Sequence, residues 1–302
     1  MHKLSLKIVA LFIQFVNWTL LADNPIQEVI FAPSPSTHFG QRRDPQTGQV
    51  TEPTILVLHY TAASLEKTLA IFTGNRPGVR VSAHYTVAED GTIYQHVAEA
   101  DSAYHAGVSY WDGKSMINRN SIGIEQVNDG YKERPAQPEG TIIEGSDRQW
   151  YPFNPVEIAS TIALCQWIID RYHIEPRNVV GHGDVAPKRK VDPGPLFPWH
   201  QLAESGVGAW PDFTKAWILP CLQYAEQNNM LEPWLITHLH IWGYKVPDES
   251  ASVQDIIAAF QMHFRQNNIA GIADLETAYI LDALICNYIV ADDKKCLCEY
   301  GN

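Results

Sequence analysis

One loop concentrates the side chains that could do chemistry. Gly181 to Trp199, GHGDVAPKRKVDPGPLFPW, carries His182, Asp184, Lys190 and Asp192 among Pro187, Pro193, Pro195 and Pro198. Proline restricts φ, so such a loop holds reactive groups with few backbone alternatives. His182 and Asp192, with a third ligand from elsewhere, have the donor types that hold zinc. Lys190 lies two residues before Asp192, and in an extended segment the two point to the same side. His59 follows the apolar run Thr54 to Leu58, at the strand end from which a side chain enters a cleft. In Ser-Ile-Gly-Ile-Glu, alternation puts Ile122 and Ile124 on one face and Gly123 and Glu125 on the other, so isoleucines in the core leave Glu125 over the cleft. Singly, each signal has an ordinary reading as a structural histidine or a solvated carboxylate.

The elements that must position these groups follow from periodicity. Residues 54–58 read as a buried strand, and Thr61 to Phe72 as a helix with Ser64 as N-cap and Leu65, Leu69 and Phe72 on one face. Val81 to Val87 and Thr92 to Val97 read as strands joined through Glu89-Asp90-Gly91, a hairpin signal. Ser121 to Val127 is a further strand, and Asp129 to Trp150 a polar loop long enough for a lid or an edge. Asn154-Pro155-Val156-Glu157 opens a helix whose stripe is Ile158, Ile162, Cys165, Ile169 and Tyr172. This order gives an α/β fold, a mixed β-sheet flanked by helices. After Trp210 three amphipathic stripes follow: Leu235, Leu239 and Trp242; Val253, Ile256, Ile257, Phe260 and Phe264; and Leu281, Leu284, Ile285 and Tyr288. They predict a small C-terminal three-helix domain with its own core. The expected divisions are a signal peptide over 1–22, a catalytic part over 23–210, a linker over 211–230 and the helical domain over 231–302.

Composition narrows the setting. An apolar fraction of 45% is enough for a packed core. A net charge of −12, from 22 basic and 34 acidic residues, argues against a nucleic-acid partner. Lys3, Lys7, the apolar run Ile8 to Val16 and Leu20-Leu21-Ala22 read as a secretory signal, and no later stretch predicts a transmembrane span. No cysteine stands near position 22 to carry a lipid, so the expected location is periplasmic or secreted. Cys165, on an apolar helical face, reads as a buried free thiol. Cys221, Cys286, Cys296 and Cys298 point to one or two disulfides rather than a metal site in an exported chain.

Together the motifs resemble a family. ILVLHYTA, RVSAHY, AYHAGVSYW, NSIGIE and GHGDVAPKRKVDPGPLFPW are similar, in order and separation, to the type-2 N-acetylmuramoyl-L-alanine amidases, zinc enzymes related to the peptidoglycan recognition proteins. The likeness runs from about residue 53 to 202. GVGAWPDF, LHIWGY and AAFQMHFR extend it toward the AmiD-like branch, whose second domain resembles a peptidoglycan-binding module. The resemblance implies the amidase/peptidoglycan-recognition fold, with Zn2+ held by His59, His182 and Asp192. It also implies Glu125 as the proton carrier, Lys190 as the oxyanion donor, and peptidoglycan or a muropeptide as the partner. His105, in Tyr104-His105-Ala106-Gly107, is expected at the substrate edge of the cleft. Tyr110, Trp111 and Trp150 offer stacking surfaces, and Asp184 is read as a structural hydrogen bond within its loop. The alternatives are a non-catalytic peptidoglycan-binding receptor on the same fold and a two-carboxylate glycosidase. The first has no use for a base, and the second leaves His59 and Lys190 without roles.

Overall fold

The computed structural model describes residues 28–44, 47–133, 141–215 and 219–290. The expected signal segment, Cys296 and Cys298 lie outside these residues. Short strands β1 (Val29–Phe31) and β2 (Phe39–Gln41) precede the central β3 (Ile55–Tyr60) and helix α1 (Leu65–Phe72). Strands β4 (Tyr85–Val87), β5 (Ile93–Gln95), β6 (Asp101–Ala103), β7 (Tyr110–Trp111), β8 (Lys114–Ser115) and β9 (Ser121–Gln126) follow. Then come β10 (Tyr131–Glu133), β11 (Thr141–Ile142), β12 (Arg148–Trp150), α2 (Pro155–Tyr172) and β13 (Val179–Gly181). The main sheet has the order β1-β5-β4-β9-β3-β13; only β4 and β5 pair antiparallel, across the predicted Asp90-Gly91 turn. The sheet is therefore mixed, as expected. The stretch expected as a polar loop contains a small antiparallel sheet, β10-β12-β11.

Alternation divides β3 between two cores. Leu56 and Leu58 pack with Ile122, Ile124 and the inner face of α2, while Ile55 and Val57 face the other way. The helix α2 begins as its sequence predicts, with Asn154 Oδ1 accepting from the Val156 amide at 3.0 Å. Its deepest positions are Ile158, Thr161, Leu164, Cys165 and Ile168, whereas Ile162, Ile169 and Tyr172 pack at the margin. The apolar stripe is thus rotated toward Leu164 and Ile168, because the flat sheet accepts the middle of a broad apolar arc. Cys165 is a buried free thiol.

The N-terminal lead-in belongs to the fold. Strand β1 extends the main sheet beside β5 and β2 pairs with β6. Arg42, 1% exposed, donates from Nε to Glu99 O, from Nη1 to Arg119 O and from Nη2 to Asp101 O. A buried guanidinium is tolerated when its donors are satisfied, and these carbonyls stitch the lead-in to the segment ahead of β9.

The remaining helices are α3 (His182–Val185), α4 (Trp199–Glu204), α5 (Leu219–Gln227), α6 (Leu231–Trp242), α7 (Val253–Phe264) and α8 (Leu275–Tyr288). The three predicted C-terminal helices are α6, α7 and α8, and Ser252 caps α7 through a capping box with Asp255. Residues 219–227, inside the expected linker, form α5. The expectation of a separate core is not met. Leu235, Leu239, Trp242, Phe260 and Leu281 share one hydrophobic cluster with Ile55, Val57, Trp111, Val180 and Val185 of the sheet layer. These helices cover the sheet face that α2 leaves open, so the apolar side chains of β3 are buried on both sides. Cys221 and Cys286 are each disulfide-bonded.

Candidate active site

Three strands deliver the candidate residues to one end of the sheet. In the parallel register of β3 and β9, His59 lies opposite Glu125. On the other flank of β3, β13 ends at Gly181 and the chain turns at once into α3, whose first residue is His182. The loop then returns so that the Gly183 amide donates to Asp192 O at 2.8 Å. His59 Nδ1 and His182 Nδ1 lie 2.9 Å apart, and Asp192 Oδ2 is 3.0 Å from each. All three residues are buried.

The outer hydrogen bonds fix where the ring protons sit. Ser121 Oγ donates to Ile117 O at 2.7 Å, so toward His105 it accepts, and His105 Nε2 at 3.1 Å carries the proton. His105 Nδ1 is then bare and accepts from His59 Nε2 at 3.0 Å. His182 Nε2 is 3.1 Å from Ala106 O, which can only accept. Both rings are therefore protonated on Nε2, and both Nδ1 lone pairs face the Asp192 carboxylate. Three electron-rich atoms without a proton between them meet about one hydrogen-bond length apart. Such a centre calls for a cation.

Charge and burial shape the neighbours. Burial, then the adjacent His182, pushes His59 down to about 4, so its ring is neutral near pH 7. Glu125 moves the other way: burial, then Asp192, raises it well above the ordinary value, and the Lys190 ammonium opposes that rise. Glu125 Oε2 is buried and has no hydrogen-bond partner among the described residues. A carboxylate oxygen left without a donor beside a candidate cation site is poised to take a proton.

Comparison with known proteins places the chain. Residues 49–195 match the family model described as N-acetylmuramoyl-L-alanine amidase. The chain is 40% identical over 243 residues to N-acetylmuramoyl-L-alanine amidase AmiD of Escherichia coli (strain K12), spanning 78% of this chain and 83% of that protein. The chain belongs to this amidase family. The solved structure of E. coli AmiD with anhydro-N-acetylmuramic acid-L-Ala-D-gamma-Glu-L-Lys is similar with a TM-score of 0.65 and 37% identity, covering 82% of this chain and 93% of that one. Pseudomonas aeruginosa AmpDh3 in complex with anhydromuramic pentapeptide is similar with a TM-score of 0.66 and 32% identity, covering 81% of this chain and 96% of that one.

Within this amidase, the structure brings together His59, His182, Asp192 and Glu125, with Lys190 half-buried on the same loop. His105 is half-buried against His59. Its ring covers Gly123, where a Cβ would come within 2.5 Å of it, and its two nitrogens are engaged by His59 and Ser121. Trp111 and Trp150 are core residues, not stacking surfaces. Trp111 donates to Asn178 Oδ1, and Trp150 packs under Gly194, where the lack of a Cβ leaves room for the indole. Asp184 makes the expected bond within its loop, accepting from the Gly181 amide at 2.7 Å. Sequence reasoning missed Ser121, although it lies on the same face of β9 as Gly123 and Glu125. It also missed Arg189, which donates to Ala106 O at 2.5 Å and Val108 O at 2.8 Å, fixing the carbonyl that orients His182.

Proposed function

We propose that this chain is a zinc amidase that hydrolyses the bond between the lactyl group of N-acetylmuramic acid and the L-alanine of the stem peptide, in peptidoglycan or its fragments. The observation that carries the reading is the meeting of three proton-free donor atoms beside Glu125, whose Oε2 has no hydrogen-bond partner among the described residues. Atoms bound to one tetrahedral zinc at about 2.0–2.1 Å lie about 3.3 Å from each other, so separations of 2.9–3.0 Å need little adjustment. Two imidazoles and one carboxylate suit zinc and leave a fourth position open. We assign His59, His182 and Asp192 to hold the ion.

Bound zinc polarises a carbonyl and lowers the pKa of water to about 7. Glu125 accepts the proton of the attacking water and passes it to the departing amine of L-alanine. Lys190 balances negative charge on the former carbonyl oxygen. His105 and Ser121 hold His59 in the tautomer that offers Nδ1, the place given to His105 in this reading instead of substrate contact. A receptor on this fold would have no use for Glu125 in so costly a setting.

Export to the periplasm or beyond is inferred from the N-terminal sequence. No helix among the described residues is long and apolar enough to cross a membrane. Residues 23–210 form the catalytic part in this reading, and the helices beyond it carry the likeness to a peptidoglycan-binding module.

The test is mass spectrometry of muropeptides after incubation with the purified chain. Free stem peptides should appear, vanish on chelation and return with added zinc. Shortened glycan chains with peptides still attached would overturn the proposal.

A further inference from the structure

Asp184 stands two residues beyond His182 on α3, and its carboxylate reaches outside its own loop. Tyr244 Oη donates to Asp184 Oδ1 at 2.5 Å, and His263 Nδ1 lies 2.8 Å from Asp184 Oδ2. Both partners come from the C-terminal helical part: Tyr244 just after α6, His263 near the end of α7. All three side chains are almost wholly enclosed, at 3% for Asp184, 0% for Tyr244 and 4% for His263. Burial, then Asp184, holds the Tyr244 hydroxyl well above its usual range, so it stays a donor.

Each partner is itself fixed. The His263 ring stacks between Trp199, with centroids 3.7 Å apart, and Phe264, at 3.9 Å. Tyr244 meets Trp111 edge to face at 5.1 Å, beside Gly243, where any Cβ would come within 2.8 Å of the Trp111 ring. Gln266, just past α7, adds two bonds to the proline loop, donating to Pro195 O at 2.8 Å and Phe197 O at 2.6 Å. On the other side, Asp184 ties to the Gly181 amide, while Gly183 N ties to Asp192 O. The short α3 therefore hangs between the helical part and two of the three assigned zinc ligands.

The geometry points to the C-terminal helical part as a positioning device for the metal centre, with Tyr244 and His263 acting through Asp184 to set His182 and Asp192. The inference rests on the assignment of His182 and Asp192 as zinc ligands. A four-residue helix cannot hold its own orientation through backbone bonds, since most of its amides and carbonyls are terminal. An outer contact that orients a ligand is worth about 10–100-fold in metal affinity.

The experiment compares zinc dissociation constants, by chelator competition, and visible absorption of the cobalt-loaded chain for wild type, Tyr244→Phe, His263→Phe and the double variant. Both substitutions keep a ring in place and remove the donor to Asp184. Leu281→Val, in the same C-terminal core but without a role at Asp184, serves as the stability control. The expected result is zinc binding weakened about tenfold or more in each donor variant, an altered cobalt spectrum, and kcat reduced with KM little changed. Leu281→Val should lower Tm while leaving affinity and spectrum as in wild type. Donor variants that bind zinc as wild type does would overturn the inference, and so would an equal loss in Leu281→Val. A wild-type chain that takes up no zinc would overturn the ligand assignment itself, and the inference with it.

Discussion

Two histidine–aspartate clusters sit a few residues apart in the chain and are equally buried, yet their proton accounts differ. In the Tyr244–Asp184–His263 cluster, each carboxylate oxygen faces a donor from the helical part, and the Gly181 amide adds a third. In the His59–His182–Asp192 cluster, outward hydrogen bonds draw both ring protons away, and only lone pairs face the centre. The same residue types thus make a hydrogen-bonded joint in one place and a candidate cation site in the other. The partners behind each ring decide which.

The largest effect that would sharpen this contrast lies at Glu125, whose Oε2 has no donor among the described residues. Glu125→Ala is expected to keep its zinc, by elemental analysis, and to lose about 10²–10⁴-fold in turnover. Substantial activity in that variant would mean the proton carrier is misassigned.

A smaller effect is expected behind the ligand. His105→Phe keeps a ring over Gly123 but removes the acceptor for His59 Nε2. Zinc affinity should fall about 10–100-fold, with stability moved much less. Unchanged affinity would break the argument that outward bonds set the ligand tautomer.

The smallest expected effect concerns Asp282 on α8, a buried carboxylate whose Oδ2 has no hydrogen-bond partner among the described residues. Burial raises it from 3.8 to about 7. Between those values the folded chain holds a proton that the unfolded chain has lost, so stability falls as pH rises from about 4 through about 7. Asp282→Asn should therefore raise Tm by a few °C at pH 8, on the order of 1 kcal/mol, and leave it nearly unchanged at pH 4. A Tm gain equal at both pH values would show that charge is not the cause.

Much of the site was legible because strand geometry is local. Period-2 alternation placed Glu125 opposite the isoleucines, and the end of an apolar run placed His59 at the mouth of the sheet. The proline-rich loop announced Lys190 and Asp192 as held groups. For His105, motif position says that a ring is near the site without saying which way it turns; only the fold engages its two nitrogens with His59 and Ser121. Trp111 and Trp150 were misjudged for the same reason, since an aromatic beside a cleft can face substrate or core. The C-terminal stripes gave three helices correctly in place, but a stripe does not name the surface that covers it. An independent bundle and a layer closing the open face of β3 have the same periodicity.

The sequence by itself determined the order of the main strands and helices, the family, and the residue set from which a metal site and its base are drawn. These depend on spacing along one segment or on motif identity. Tertiary structure alone decided which nitrogen of each histidine faces the centre, that Ser121 and Ala106 fix those tautomers, and that Asp184 is gripped by Tyr244 and His263. Each of those outcomes depends on hydrogen bonds between groups from 4 to 79 residues apart, whose donors and acceptors meet only once the sheet and the C-terminal helices have packed.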